Sequence, residues 1–363
     1  GFVSCAKLFS SVFGIPYLVS LAVGAVVVIS YTFAGGFFAV CWTDFFQGLM
    51  MFFCVVAVPL IAVFRMGGPA EFISSVEAFN PNFLSMFVDG ATNTPYTAMG
   101  IVSLVAWGLG YFGQPHILVR FMGISSPAAI KKSRRIATVW VVISMAVAIF
   151  IGVVGYSLSK NGVMAELKGS ASETIIIQVA TLLSQHGFLA IVGAGITLAG
   201  ILACTMSTAD SQLLAASSAV SENLLKGMFG VNLTEKRTIH VARATVLFIA
   251  VIAVFLAGNP DSSVFGIVSF AWAGFGAVFG PVVLAALFWK RSNRNGALAG
   301  MIAGGVMVFV WKYCVRPLGG AWNVYELLPA FIVAMLCLIV VSLATGEPSK
   351  EIQEEFEEVR AGK

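Results

Sequence analysis

Apolar residues run along this chain in stretches of roughly twenty, separated by short polar or charged breaks, and within the stretches they do not alternate with polar ones. A run of about 20 apolar residues crosses the hydrocarbon core of a bilayer as an α-helix. On this pattern the chain opens with the end of a helix over 1–13. Full spans follow near 16–36, 43–65, 97–121, 136–158, 186–216, 238–258, 262–290, 296–314 and 323–345. Longer loops fall at 67–96 and 159–185, and an acid-rich tail occupies 346–363. A transmembrane β-barrel would need short strands alternating apolar and polar positions, and uninterrupted runs such as 188–203 exclude it. The predicted fold class is an all-α polytopic membrane protein.

Composition agrees. Of 363 residues, 59% are apolar and 10% charged, against about 25% charged in soluble domains; an ordinary soluble enzyme and a disordered chain are both excluded. The net charge of +4 informs only once placed. Counted over alternate loops, Arg120, Lys131, Lys132, Arg134, Arg135, Lys226, Lys236, Arg237, Lys290, Arg291 and Arg294 oppose Arg65, Lys160, Lys168, Lys312 and Arg316. The basic excess puts the first set, and the tail, in the cytoplasm. No basic stripe interleaves with aromatics, so nucleic acid is not a partner. The cysteines (Cys5, Cys41, Cys54, Cys204, Cys314, Cys337) mostly lie in apolar runs without a Cys-x-x-Cys pair, as reduced small hydrophobes. At the N-terminus, 1–6 run straight into Lys7 with no basic leader region, which fits neither a signal peptide nor a complete span. It reads as the last turns of a helix that begins outside the chain.

Three places inside the apolar runs carry polar or helix-breaking residues. The first, Trp107-Gly-Leu-Gly-Tyr-Phe-Gly-Gln-Pro115, contains Gly108-x-Gly110-x-x-Gly113, formally a dinucleotide fingerprint. The fingerprint needs a preceding strand and an acidic residue about 20 positions on, whereas a membrane span and Ser133 stand there. Three glycines and a proline instead predict an interrupted helix. Interrupted helices near the midplane point to a transporter's solute site. Trp107 and Tyr111, four apart, would share a helical face and close over a small solute; a kinked packing helix is the other reading. The second place is the stripe Cys204, Ser207, Thr208, Ser211, at helical spacing. Hydroxyls and carbonyls make the oxygen-rich surroundings a desolvated alkali cation requires, although such hydroxyls also bond back to the i−4 carbonyl. The third, 269–281, again sets a tryptophan, Trp272, before glycines and Pro281, as a bent helix on the same cavity or as plain packing.

Asp210 lies off the hydroxyl stripe. Asp44 opens a predicted span, either as an N-cap or as a residue on an ion path. His116 is a candidate for proton coupling or a hydrogen-bonded structural residue, and Lys7 is ambiguous. Gly296, Gly300 and Gly304 form a small-residue stripe for close helix packing. No hydrolase triad, zinc-protease motif or P-loop is present, so enzymatic catalysis is not expected.

The strings GYFGQPHILVRFM (110–122), MSTADSQLLAASSAVSENL (206–224), FAWAGFGAVFGPVVL (270–284) and RNGALAGM (294–301) resemble the sodium:solute symporter family, over essentially the whole chain to about 344. The resemblance implies a leucine-transporter-type inverted-repeat fold lacking its first core helices. In it, 1–66 is the remainder of the first repeat, 97–290 the second repeat, 291–345 two peripheral helices and 346–363 a cytoplasmic acidic tail. It implies sodium-coupled symport of a small solute, L-proline, into the cell, by a multi-pass protein of the cell membrane working as a monomer. No cofactor is implied beyond the coupling sodium ion. Carried over residue by residue, Ser207 and Thr208 supply hydroxyls and Cys204 a carbonyl to sodium, in a family that often has alanine at that position. Asp44 matches an aspartate associated with sodium coupling, and Trp107, Tyr111 and Pro115 match solute-side positions. Ser211 and Trp272 are added by the residue pattern alone. Another small solute (an amino acid, a compatible solute or a carboxylate) and a membrane sensory domain are the alternatives, the latter disfavoured by the short chain after Thr345. Because the first core helix is expected to supply half of each site, this chain alone is expected to transport nothing, and coupled uptake by it would sink that expectation.

Overall fold

The computed structural model describes residues 1–90, 92–232 and 234–361, with the side chains at 31 and 34–39 outside the description. The last two residues of the expected tail therefore lie outside it. Helices cover the predicted spans, and two more, at Pro69–Phe79 and Ile175–Ser184, fall inside the connections expected at 67–96 and 159–185. The first, α1 (Phe2–Phe13), stops on Gly14, whose φ of 65° is left-handed, a termination that glycine makes without strain. There follow α2 (Tyr17–Arg65) and α3 (Pro69–Phe79), then a two-stranded hairpin of β1 (Val88–Asp89) and β2 (Thr94–Pro95). The remaining helices are α4 (Ala98–Val105), α5 (Pro115–Met122), α6 (Pro127–Lys160), α7 (Ile175–Ser184), α8 (Phe188–Ser218), α9 (Glu235–Leu256), α10 (Val264–Phe288), α11 (Arg294–Val310), α12 (Leu327–Ala344) and α13 (Lys350–Arg360). Among the described residues, seven segments are long and apolar enough to cross a membrane, from Val40–Arg65 to Leu327–Ala344. Phe2–Phe13, Tyr17–Ser30 and Ala98–Gly113 are shorter apolar helices.

Two predicted spans, 16–36 and 43–65, share the single helix α2, because no proline or polar residue stands between them at 37–42. Packing nevertheless keeps them apart. A Cβ on Gly24 would lie 2.8 Å from the Cβ of Cys5, and the Cys5 thiol donates to Thr205 Oγ1 on α8 at 3.4 Å. Further along, Cys54 donates to Ile196 O on the same helix at 3.5 Å. A straight helix would separate residues 24 and 54 by about 45 Å, whereas neighbours packed about 9 Å apart hold these points within about 35 Å. The segments Tyr17–Ser30 and Val40–Arg65 thus pack as two separate lengths, α1 carrying the first onto α8.

By contacts the chain divides into two compact units, Gly1–Ser85 with Ile124–Val264 and Met86–Gly123 with Phe265–Lys363. The first unit has two apolar clusters. In one, Phe2, Val3, Cys5 and Ala6 of α1 meet Leu21, Ala25 and Val28 of α2 and Ala250 of α9. In the other, Val58, Ala62 and Val63 meet Phe72 and Val76 of α3, Val154 and Leu158 of α6 and Val179 of α7. Lys7 finds its partner here, 2.7 Å from Glu173 Oε2.

In the second unit Ala106, Ala273, Ala277, Val308, Leu327, Ala330 and Phe331 form the core. The glycine stripe on α11 does what its spacing predicts: a Cβ at Gly300 would lie 2.9 Å from Ala334 O, and one at Gly304 3.0 Å from Ala334 Cβ. Asn293 caps α11 through Gly296 N–H at 2.9 Å and donates to Thr345 Oγ1 at 2.8 Å. The tail is helical as α13, and Glu357 accepts from Lys290 Nζ at 2.9 Å.

That hydrogen bond and the charge of Lys290 hold the Glu357 carboxyl below its ordinary value. A depressed folded value means that the ion pair favours the docked tail fully above the ordinary glutamate range, about 4.3, and loses that contribution as pH falls through the lower docked value. Because the pair is exposed, salt also weakens it. Protection of α13 from hydrogen exchange, taken relative to the intrinsic amide rate at each pH, is expected to stay constant from pH 8 to 5 and to fall on further acidification, and at neutral pH to fall in 1 M salt. Protection that is indifferent to both treatments would show that the tail docks by other contacts.

Candidate functional site

The first unit carries the hydroxyl stripe. It lies within α8, helical through Ser218, so the spacing of Cys204, Ser207, Thr208 and Ser211 keeps them on one side. Ser207 Oγ donates to Cys204 O at 3.0 Å and Thr208 Oγ1 to the same carbonyl at 3.3 Å. Three oxygens therefore converge, one carbonyl and two hydroxyls. Back-bonding, the structural reading of such residues, is what they do here, yet each hydroxyl keeps lone pairs while it donates. A hard cation could take those lone pairs without the side chains first turning away.

One turn on, Ser211 Oγ donates to Ser207 O at 2.8 Å and also lies 3.5 Å from Asp44 Oδ2 and 3.4 Å from Asp210 Oδ1. The structure thus brings two carboxylates to the end of the stripe. Asp210, off the stripe in sequence, is fully buried. Asp44 sits inside α2 rather than at its start, so the N-cap reading is wrong: no helix begins there, because nothing in the preceding residues stops one. No group of three or more His, Cys, Asp or Glu side chains suited to a tighter metal site occurs among the described residues.

The second unit carries the interrupted helix. Between α4 and α5 the chain narrows to a 3-10 helix over Ala106–Gly113 and then extends at Gln114, with φ −84° and ψ 110°. Pro115, at the first turn of α5, has no N–H to offer backward. Gln114, only 2% exposed, repairs the break with its side chain: Nε2 donates to Gly110 O at 3.1 Å and to Trp272 O at 3.3 Å.

Gly110 and Gly113 serve close approach to α10, not a nucleotide. A Cβ on Gly110 would fall 1.9 Å from Trp272 Nε1, and one on Gly113 2.3 Å from Phe275 O. Around them gathers an aromatic cluster. The Trp107 ring stacks on Trp272, Phe265 and Tyr325, with centroids 5.4, 5.7 and 5.8 Å away. Trp272 Nε1 donates to Trp107 O at 3.0 Å, and Tyr111 meets the Trp272 ring edge-on at 4.7 Å. The shared helical face predicted for Trp107 and Tyr111 is corrected by the 3-10 geometry, in which residues three apart eclipse and residues four apart diverge. Trp272 brings them together instead, stacked on one and edge-on to the other. Pro115 and His116 begin α5, both half-buried. Gln114, Phe265 and Tyr325 were not anticipated. For Gln114 there was a local signal, a polar side chain beside a glycine-proline break; the two rings had none.

An interrupted helix lined with aromatics, and a hydroxyl stripe on an apolar helix, are features of a membrane transporter. Residues 1–304 match the sequence model of the sodium:solute symporter family. The chain is 42% identical to the sodium/proline symporter of Haemophilus influenzae, over 98% of this chain and 70% of that protein. It is 40% identical to the high-affinity proline transporter PutP of Bacillus subtilis, over 98% and 72%. With the sodium/proline symporter of Escherichia coli it shares 41% identity over 99% and 69%. Among solved structures it resembles a sodium-coupled sialic acid symporter in a substrate-bound outward-open state, with a TM-score of 0.72 and 17% identity, over 96% of this chain and 71% of that one. The chain belongs to the sodium:solute symporter family and is a multi-pass membrane protein of the leucine-transporter-type fold. Its relatives are transporters, not enzymes.

Proposed function

We propose that this chain carries the sodium- and solute-binding parts of a sodium-coupled symporter that takes L-proline into the cell. What carries the reading is identity of about 40% to proline transporters across 98% of the chain, with the hydroxyl stripe and the interrupted aromatic helix both formed. Sodium is held by Cys204 O, Ser207 Oγ and Thr208 Oγ1, with Asp44 coupled to them through Ser211. Proline lies against Trp107, Tyr111, Pro115 and Trp272, whose ring faces suit both its apolar ring and its ammonium group. Residues 1–66 and 97–290 belong to two inverted repeats and 291–345 to peripheral helices. The ion is cargo, and no organic cofactor takes part. Each ligand raises the affinity of the protein for the other, as linkage requires of coupled sites, and the inward sodium gradient drives accumulation.

The test is uptake of labelled proline by the full-length protein in proteoliposomes, with and without an inward sodium gradient. Sodium-dependent uptake competed by unlabelled proline is the expected result. Uptake of another amino acid, compatible solute or carboxylate in its place would move the substrate, and proline uptake driven equally by a proton gradient would overturn the coupling ion.

A further inference from the structure

The segment between α11 and α12 is tied down far more heavily than a connecting loop requires, and its ties end on the aromatic cluster. Trp311 Nε1 donates to Val324 O at 3.1 Å, and the Trp311 ring meets Trp322 edge-on at 5.9 Å. Arg316 Nε donates to Asn323 Oδ1 at 3.1 Å and Arg316 Nη1 to Glu326 Oε2 at 2.7 Å. On its other side Glu326 faces Lys312 Nζ at 3.6 Å, and that ammonium sits 3.9 Å from the centre of the Phe270 ring. Glu326 is a carboxylate only 1% exposed, clasped by two cations.

Between these ties stands Tyr325. Its N–H donates to Ser103 Oγ at 2.7 Å, its hydroxyl donates to Ser269 O at 2.6 Å, and its ring lies on Trp107. Every polar group of this residue that these contacts use fixes the ring against that tryptophan. A buried ion cluster adds little net stability over an apolar replacement of the same shape, because desolvation offsets the attraction. What it does provide is position.

Resting on the functional reading above, we propose that Tyr325 is a solute-positioning residue of the aromatic site, and that the Lys312–Glu326–Arg316 cluster holds it there as a strap. The charge count places Lys312 and Arg316 on the extracytoplasmic side, so the strap bounds the site from outside. Its ligand class is that of the site, a small amino-acid-like solute with an apolar ring and an ammonium group, whose surface the buried phenol ring positions through Trp107.

Two measurements on the full-length protein test this. In proteoliposomes, Tyr325→Phe keeps the ring and loses one hydrogen bond, so KM for proline is expected to rise about 3- to 10-fold with Vmax per reconstituted molecule unchanged, the split expected of lost binding. Glu326→Gln should raise KM in the same direction, and the double variant less than the product of the two, because both act on one ring. An unchanged KM, with losses confined to Vmax or to the amount of folded protein, would reduce the strap to a structural part and overturn the proposal. The second measurement is labelling of Tyr325→Cys by a membrane-impermeant maleimide in a cysteine-free background. Labelling from outside should be slow, accelerated about tenfold or more by Glu326→Gln, and slowed again by proline. Equal rates with and without Glu326→Gln would overturn the strap whether or not the protein transports proline. Absence of proline uptake by the unsubstituted protein would instead count against the functional reading and leave the labelling rates to decide the strap.

Discussion

Gly113→Ala is expected to destabilise the protein by about 3 kcal/mol or more and to abolish uptake. The added carbon would lie 2.3 Å from Phe275 O, 2.8 Å from Gly280 N and 2.9 Å from Gly276 Cα. All three are backbone atoms of α10, so no side chain can rotate aside; the helix itself would have to withdraw from the break. Overpacking of a filled interior costs about 1–3 kcal/mol when neighbours can relax and more when they cannot. Withdrawal would also part Trp272 from Trp107 and Gln114 from Trp272 O. Gly108→Ala is the control, since a Cβ there meets nothing within 4 Å. Thermal unfolding of the two variants in detergent, followed by tryptophan fluorescence, checks the claim together with uptake. A Gly113→Ala protein as stable as the Gly108→Ala protein would mean that α10 does not press on the break as described.

The comparison of the two glycines shows where sequence reading succeeds and where it stops. That 107–115 breaks a helix was legible, because glycine and proline act on their own backbone and their effect is local. Which glycine packs against a neighbour was not, because the neighbour lies some 160 residues away at Phe275. The aromatic cluster fails to read for the same reason: Phe265 and Tyr325 reach Trp107 through the fold, and nothing near either residue announces it. The hydroxyl stripe read correctly because a regular helix fixes its spacing, whereas the Trp107–Tyr111 face did not because the segment is not an α-helix. Of the two readings of Asp44, the N-cap fails because the predicted boundary before it assumed a break that the apolar string does not contain. The compact units of the chain are likewise invisible to a segment-by-segment reading, since each gathers stretches that are far apart in sequence.

Thr208→Ala in the full-length protein is expected to raise the sodium concentration for half-maximal uptake about 10- to 100-fold. The hydroxyl removed is one of the three oxygens that converge at Cys204 O, 3.3 Å from it. A single dipole facing a charge contributes about 1.5–3 kcal/mol, and every 1.4 kcal/mol is tenfold in affinity. The fold is not at stake, because the donor lost is a back-bond to a carbonyl that Ser207 also satisfies at 3.0 Å, so the amount of protein in the membrane should be unchanged. Because coupling is reciprocal, the apparent KM for proline should rise at low sodium and approach that of the unsubstituted protein at saturating sodium. A packing defect would not produce that convergence, since sodium cannot rescue it. Thr208→Ser retains the oxygen and should retain most of the sodium affinity. Uptake measured across a sodium series for the two variants decides the matter: if both respond alike, or if the alanine variant loses uptake equally at every sodium concentration, the oxygen at 208 does not bind the coupling ion.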